Sequence, residues 1–105
     1  MNMFCAYFGC DVELTEERKT HIRTYHPDAY SRLELFQDVL LNTDVIHRDY
    51  EPNSFLFGKW FPDIFGGKYL VLVLIRDRER TWVITAYVAR KITTGTEIWK
   101  LKNLL

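Results

Sequence analysis

Around Asn42-Thr43-Asp44 the spacing of apolar residues changes from helical to period two, which leaves this chain few architectures to adopt. Before that point Leu33, Phe36, Val39 and Leu40 recur at helical spacing. After it come five stretches of strand character: Val45 to Arg48, Phe55 to Trp60, Tyr69 to Arg76, Thr81 to Ile92 and Glu97 to Leu101. Glu51-Pro52-Asn53, Phe65-Gly66-Gly67, Asp77-Arg78-Glu79-Arg80 and Thr94-Gly95-Thr96 separate them, and connections this short imply an antiparallel meander. The expected fold is α+β: two N-terminal helices packed on one face of an antiparallel meander sheet of four to five strands, preceded by a short strand near Val12.

The first helix is expected over Glu16 to Tyr25. Thr15 suits its N-cap, Glu16 and Glu17 suit the positive end of its dipole, and Pro27 stops it because a residue before proline disfavours the α conformation. The second is expected from about Asp28 to Leu41. With 105 residues, 48% of them apolar and 15% aromatic, the chain is read as one ordered domain over residues 1–105.

The formal net charge is zero, which argues against coating nucleic acid through bulk electrostatics. The halves nevertheless differ. Residues 1–58 hold 5 Lys and Arg against 10 Asp and Glu, residues 59–105 hold 9 against 4, and the halves therefore stand at −5 and +5. A basic sheet half has the sign an anionic substrate wants, and it equally lets the two halves attract each other. No basic leader segment precedes an apolar run, and Tyr69 to Ile75 is far shorter than the ~20 residues of a membrane helix. The expectation is a soluble cytoplasmic protein with no membrane partner, its Cys5 and Cys10 kept as thiols.

Two segments concentrate the chemistry. Arg18 to Pro27 carries His21 and His26 among three cations, and Thr85 to Lys91 carries two hydroxyls and two cations. His21 shares a helix face with Arg18 and Tyr25, and an imidazole can exchange protons at neutral pH. His26 sits at the carbonyl end of the helix, which suits a general acid or phosphate contact and equally a cap. Period two puts Thr85, Tyr87 and Lys91 on one sheet face unless a bulge intervenes. If the sheet folds back on the helix, the two segments supply a proton acceptor, a proton donor and cations for a phosphate, with no metal needed. The plainer readings are a backbone-bonded histidine, ordinary strand formers and exposed strand cations.

Cys5 and Cys10 with His21 and His26 invite comparison with a two-cysteine, two-histidine zinc site, but the central spacer is short and a helix turns the histidines apart. No metal and no cofactor are therefore expected. Gly66-Gly67 lacks the strand-to-helix setting of a phosphate loop. Trp60, Phe61, Phe65, Tyr69, Trp82 and Trp99 serve either as core or, where they flank a cleft, as a base-stacking platform.

The order His21-Ile22 with His26-Pro27, a Tyr69-to-Ile75 strand, Thr85-Ala86-Tyr87 and a terminal Ile98-Trp99-Lys100 is similar to the phage-associated branch of the Barnase–EndoU–colicin–RelE superfamily of ribonucleases. The resemblance spans roughly Val12 to Lys100. It implies two helices on an antiparallel sheet, with a site in which His21 matches the helix histidine, His26 the one before proline, and Thr85 and Tyr87 the polar pair of the strand. The zero net charge departs from the strongly basic ribosome-dependent toxins of that group. The function so implied is a metal-independent endoribonuclease that cleaves RNA by 2′-hydroxyl attack on the adjacent phosphate. His21, His26, Thr85 and Tyr87 are its candidate catalytic residues and Arg23, Arg76, Arg90 and Lys91 its candidate substrate cations. RNA is the expected partner, with a neutralising protein as a second. The alternative is a non-catalytic module of the same fold that binds protein or RNA through the basic strand face.

Overall fold

The computed structural model describes residues 1–102. Its strands are β1 (Asn2–Cys5), β2 (Cys10–Glu13), β3 (Val45–Arg48), β4 (Ser54–Phe61), β5 (Lys68–Asp77), β6 (Arg80–Ala89) and β7 (Thr96–Lys100). Its helices are α1 (Glu16–Tyr25), α2 (Pro27–Tyr30) and α3 (Phe36–Leu41), with a 3-10 turn at Leu33–Leu35. The class is α+β.

Local chemistry sets α1. The Thr15 hydroxyl accepts from the Arg18 amide at 3.2 Å, and the helix closes at His26, whose amide donates to the Ile22 carbonyl at 2.7 Å. The expected second helix is broken. The Ser31 hydroxyl and the Arg32 guanidinium both bond back to the Asp28 carbonyl, at 2.9 and 2.6 Å. Such local bonding competes with helix propagation, and the chain re-forms a helix only at Phe36. There Phe36, Val39 and Leu40 are buried against the sheet.

The strands form one mixed sheet in the order β1-β2-β6-β5-β4-β3-β7, larger than the expected four to five strands. The meander expectation describes β3 to β6 only. An N-terminal hairpin replaces the single early strand, and its β2 joins β6 in parallel through one pair, Glu13 with Trp82. At the other edge β7 pairs with β3 rather than with β6. The chain between β6 and β7 therefore crosses the sheet. Ile92 of that crossing packs on Leu56, Val71 and Val73, and a Cβ at Gly58 would collide with its Cδ1 atom.

The two faces are unequal. The helices and the hairpin tip cover Leu70, Leu72, Leu74, Val83 and Ala86 in the main core, whereas the crossing covers a smaller cluster on the other face. Ile84 is an extra residue opposite β5, since Val73 pairs with Thr85 and Leu74 with Val83. This bulge turns Val83 to the same face as Ala86 and Val88, which strict alternation would place on opposite faces. It precedes Thr85, so Thr85 and Tyr87 keep a common face, while β6 ends at Ala89, before Lys91.

Candidate functional site

Because β2 meets β6 at a single pair, most of that edge of β6 has no strand beside it, and α1 and α2 pack there instead. The ten residues of α1 span about 15 Å, the length of about five strand residues. Starting beside Trp82, the helix ends level with Tyr87, and the ring of His26 lies 6.1 Å from that of Tyr87. His21 is 6.2 Å from His26 and 5.0 Å from Tyr25, so four rings follow one another along the rim in the order Tyr25, His21, His26, Tyr87.

These rings differ from their counterparts elsewhere. His47 on β3 is tied by Nδ1 to the Thr94 carbonyl at 2.8 Å, an ordinary structural arrangement. Among the described residues neither His21 nor His26 has a side-chain hydrogen bond, although both are half-buried. Among the described residues the buried side-chain atoms without a partner are Arg18 Nε, on α1, and Thr85 Oγ1, on β6. Leaving a buried donor unmet costs ~1–3 kcal/mol. Thr85, paired with Val73, faces the side covered by the crossing, whereas α1 packs Ile22 into the core of the other side.

The electrostatics divide the roles. Partial burial lowers the His21 pKa below its ordinary value of 6.5, with the Arg18 guanidinium and His26 adding to the effect. His21 is thereby neutral at pH 7 and able to accept a proton. Burial raises the pKa of the Tyr87 phenol, with a smaller push from Asp49, so Tyr87 remains a hydrogen-bond donor.

Of the residues singled out in the sequence, the structure brings together His21, His26 and Tyr87, with Thr85 two residues along the same strand and on the same face as Tyr87. Among the described residues no hydrogen bond joins His21 to Thr85. Arg90 and Lys91 are exposed and begin the crossing that runs under that face. Arg23 and Arg76 go elsewhere: Arg23 stands over the Tyr30 ring at 5.7 Å, and Arg76 stacks on Phe8 at 4.3 Å on the helix-covered face. Arg18 and Tyr25 are the members missed by the sequence list, although their helical spacing from His21 was the available signal. Tyr25 is 69% exposed, which leaves its ring open to stack on a base.

Cys5 and Cys10 face each other across the first hairpin, where Cys10 lies by Thr81 at the start of β6, and the two cysteines and two histidines form no common group. Among the described residues no group of three or more His, Cys, Asp or Glu is placed to hold a metal ion. The tryptophans weighed as core or as a base-stacking platform are dispersed: Trp60 packs on Tyr69, Trp82 lies under Arg80, and Trp99 approaches Tyr7.

A well-formed cavity of about 380 Å³ lies away from the rim, lined by Tyr7, Leu40, Ile46 and Trp99 with Asp44 and Lys59. Two of its polar groups are engaged: Asp44 Oδ2 accepts from the Trp60 amide at 2.7 Å and the Thr43 hydroxyl donates to the Val39 carbonyl. No histidine lines it, so the candidate site is placed at the rim, where two imidazoles stand unbonded. No helix of the described residues is long and apolar enough to cross a membrane. Comparisons with family models, with curated proteins and with solved structures found no match.

Proposed function

We propose that the rim between α1 and β6 is the active site of a metal-independent endoribonuclease, in keeping with the likeness of its residues to the phage-associated branch of the Barnase–EndoU–colicin–RelE superfamily. The observation that carries this reading is the pair of unbonded imidazoles, 6.2 Å apart and flanked by Tyr87, on a helix and a strand that also carry the unmet Arg18 Nε and Thr85 Oγ1. Phosphodiester cleavage needs that inventory: an acceptor for the 2′-hydroxyl proton, a donor for the departing 5′-oxygen, and fixed donors for the charge that builds on phosphorus.

His21, held neutral, takes the 2′-hydroxyl proton as that oxygen attacks phosphorus. His26 protonates the leaving 5′-oxygen, and the product is a 2′,3′-cyclic phosphate. The Tyr87 phenol and the Thr85 hydroxyl donate to phosphate oxygens, Arg18 offsets their charge, and Tyr25 offers a face to a neighbouring base. Arg90 and Lys91 steer the polyanion toward that face. RNA is the substrate because the attacking group is the 2′-hydroxyl.

The non-catalytic module has two observations in its favour: Arg23 and Arg76 stack on aromatic rings of the protein rather than gathering at the rim, and Thr85 faces the side covered by the crossing, opposite the face on which α1 packs Ile22. Incubation of total RNA with the purified protein in EDTA separates the readings. The expected result is fragments ending in 2′,3′-cyclic phosphate, with no cut 3′ of a 2′-deoxynucleotide placed in an otherwise ribose strand. Intact RNA that nevertheless binds the protein would favour the module.

A further inference from the structure

Cys5 and Cys10 take no part in the rim. They are direct partners across the β1–β2 hairpin, joined by the turn Ala6-Tyr7-Phe8-Gly9. Both are free thiols, with Cys5 buried and Cys10 partly exposed, its Sγ atom 3.6 Å from Thr81 Oγ1. The next residue along, Phe4, bonds outward through both its amide and its carbonyl to the Gln37 side chain, at 3.0 and 2.9 Å. Antiparallel ladders alternate, so Cys5 and Cys10 form the pair whose backbone groups point toward each other.

Such a pair has Cα atoms ~5.5 Å apart, inside the range a disulfide spans, and Cβ atoms somewhat wider than a relaxed disulfide prefers. A bond made there closes under strain, and strained disulfides are the easily reduced, reversible ones. We propose that Cys5 and Cys10 are a reversible disulfide-forming modification site, oxidised by a low-molecular-weight disulfide of the glutathione class, which locks the first hairpin. This site stands independently of the ribonuclease reading.

The exchange begins at Cys10, the accessible thiol. Its thiolate attacks one sulfur of glutathione disulfide, the S–S bond breaks, and one glutathione leaves and takes up the Cys10 proton. Cys5, losing its proton, then attacks Cys10 Sγ and expels the second glutathione, which takes up the Cys5 proton. The cysteine pair is oxidised by two electrons and the oxidant is reduced to two thiols. Burial raises the Cys5 pKa, which keeps Cys5 inert toward oxidants in bulk solution while leaving it beside its partner. The locked turn holds Tyr7 and Phe8, whose rings pack on Phe57, with Phe8 also on Phe55 and Tyr7 on Trp99.

The test is mass spectrometry of the reduced full chain after incubation with glutathione disulfide and quenching with iodoacetamide. The expected wild-type product is a monomer lighter by two hydrogens, with no alkylated cysteine, a Cys5–Cys10 linked peptide, and return to the dithiol in excess reduced glutathione. Cys5→Ala is expected to retain one glutathione on Cys10, and Cys10→Ala to remain unmodified. A wild-type chain that stays a dithiol, stops with glutathione on Cys10, or links to a second chain overturns the proposal. Should Cys5→Ala fail to fold, the wild-type mass and peptide map decide the matter alone.

Discussion

Strand β3 and the β6 rim both hold half-buried histidines, His47 on the first and His21 with His26 at the second, and they treat them in opposite ways. At β3, His47 is bonded to the Thr94 carbonyl, and nearby Asp49 bonds the Tyr50 amide and the Ser54 hydroxyl. At the β6 rim, His21 and His26 stand unbonded, and among the described residues Arg18 Nε on α1 and Thr85 Oγ1 on β6 find no partner. A fold that satisfies one histidine with its own backbone has the means to satisfy the others. On the proposed reading, the polar groups left open at the rim are the ones that meet the substrate.

Removing His26 breaks that contrast most severely. His26→Ala is expected to lower the rate of RNA cleavage by about 10²–10⁴-fold, the usual cost of losing a general acid, while thermal unfolding shifts little. A variant with the wild-type rate would reduce His26 to a helix terminus.

The opposite signature belongs to His47. Its replacement by alanine deletes one satisfied bond, so it is expected to cost ~0.5–1.5 kcal/mol in urea unfolding and to leave cleavage intact. Thr85→Val sharpens the comparison from the other side. Valine keeps the shape and removes an unmet buried hydroxyl, so stability is expected to hold or to rise by up to about 1 kcal/mol while cleavage weakens. Loss of stability without loss of rate would show that Thr85 Oγ1 serves the fold.

The smallest effect concerns pH. His21 has a folded pKa below its ordinary value, so its neutral form is the one the fold favours. The unfolded chain takes up the proton first as pH falls, and the contribution of His21, full above the unfolded value near 6.5, is lost below it. His21→Gln is expected to lose less thermal stability than wild type between neutral and mildly acidic pH. In NMR titration, Arg18→Gln is expected to move the His21 midpoint upward, with burial still holding it below the ordinary value. An unmoved midpoint would place Arg18 too far from His21 to act on the phosphate.

Much of this was legible because it is local. The bounds of α1 follow from Thr15, Glu16, Glu17 and Pro27, and His21, His26, Thr85 and Tyr87 were visible as chemistry-bearing residues before any fold was known. What was hidden depends on distant partners. The parallel meeting of β2 with β6 and the return of β7 to β3 are long-range pairings that no turn signal encodes. The bulge at Ile84 shifts the facing of β6 without a glycine to announce it. Arg76 illustrates the cost for the site: its strand position suited a phosphate contact, but tertiary packing put it on Phe8.

The most direct test is the initial rate of cleavage of one RNA oligonucleotide in EDTA by the wild-type chain, His21→Ala and His47→Ala, each first shown to melt cooperatively. The expected result is cleavage by wild type and His47→Ala, with a loss of about 10²–10⁴-fold in His21→Ala. Equal rates in all three, or no cleavage by the wild type, would contradict the assignment of the α1–β6 rim as a ribonuclease site.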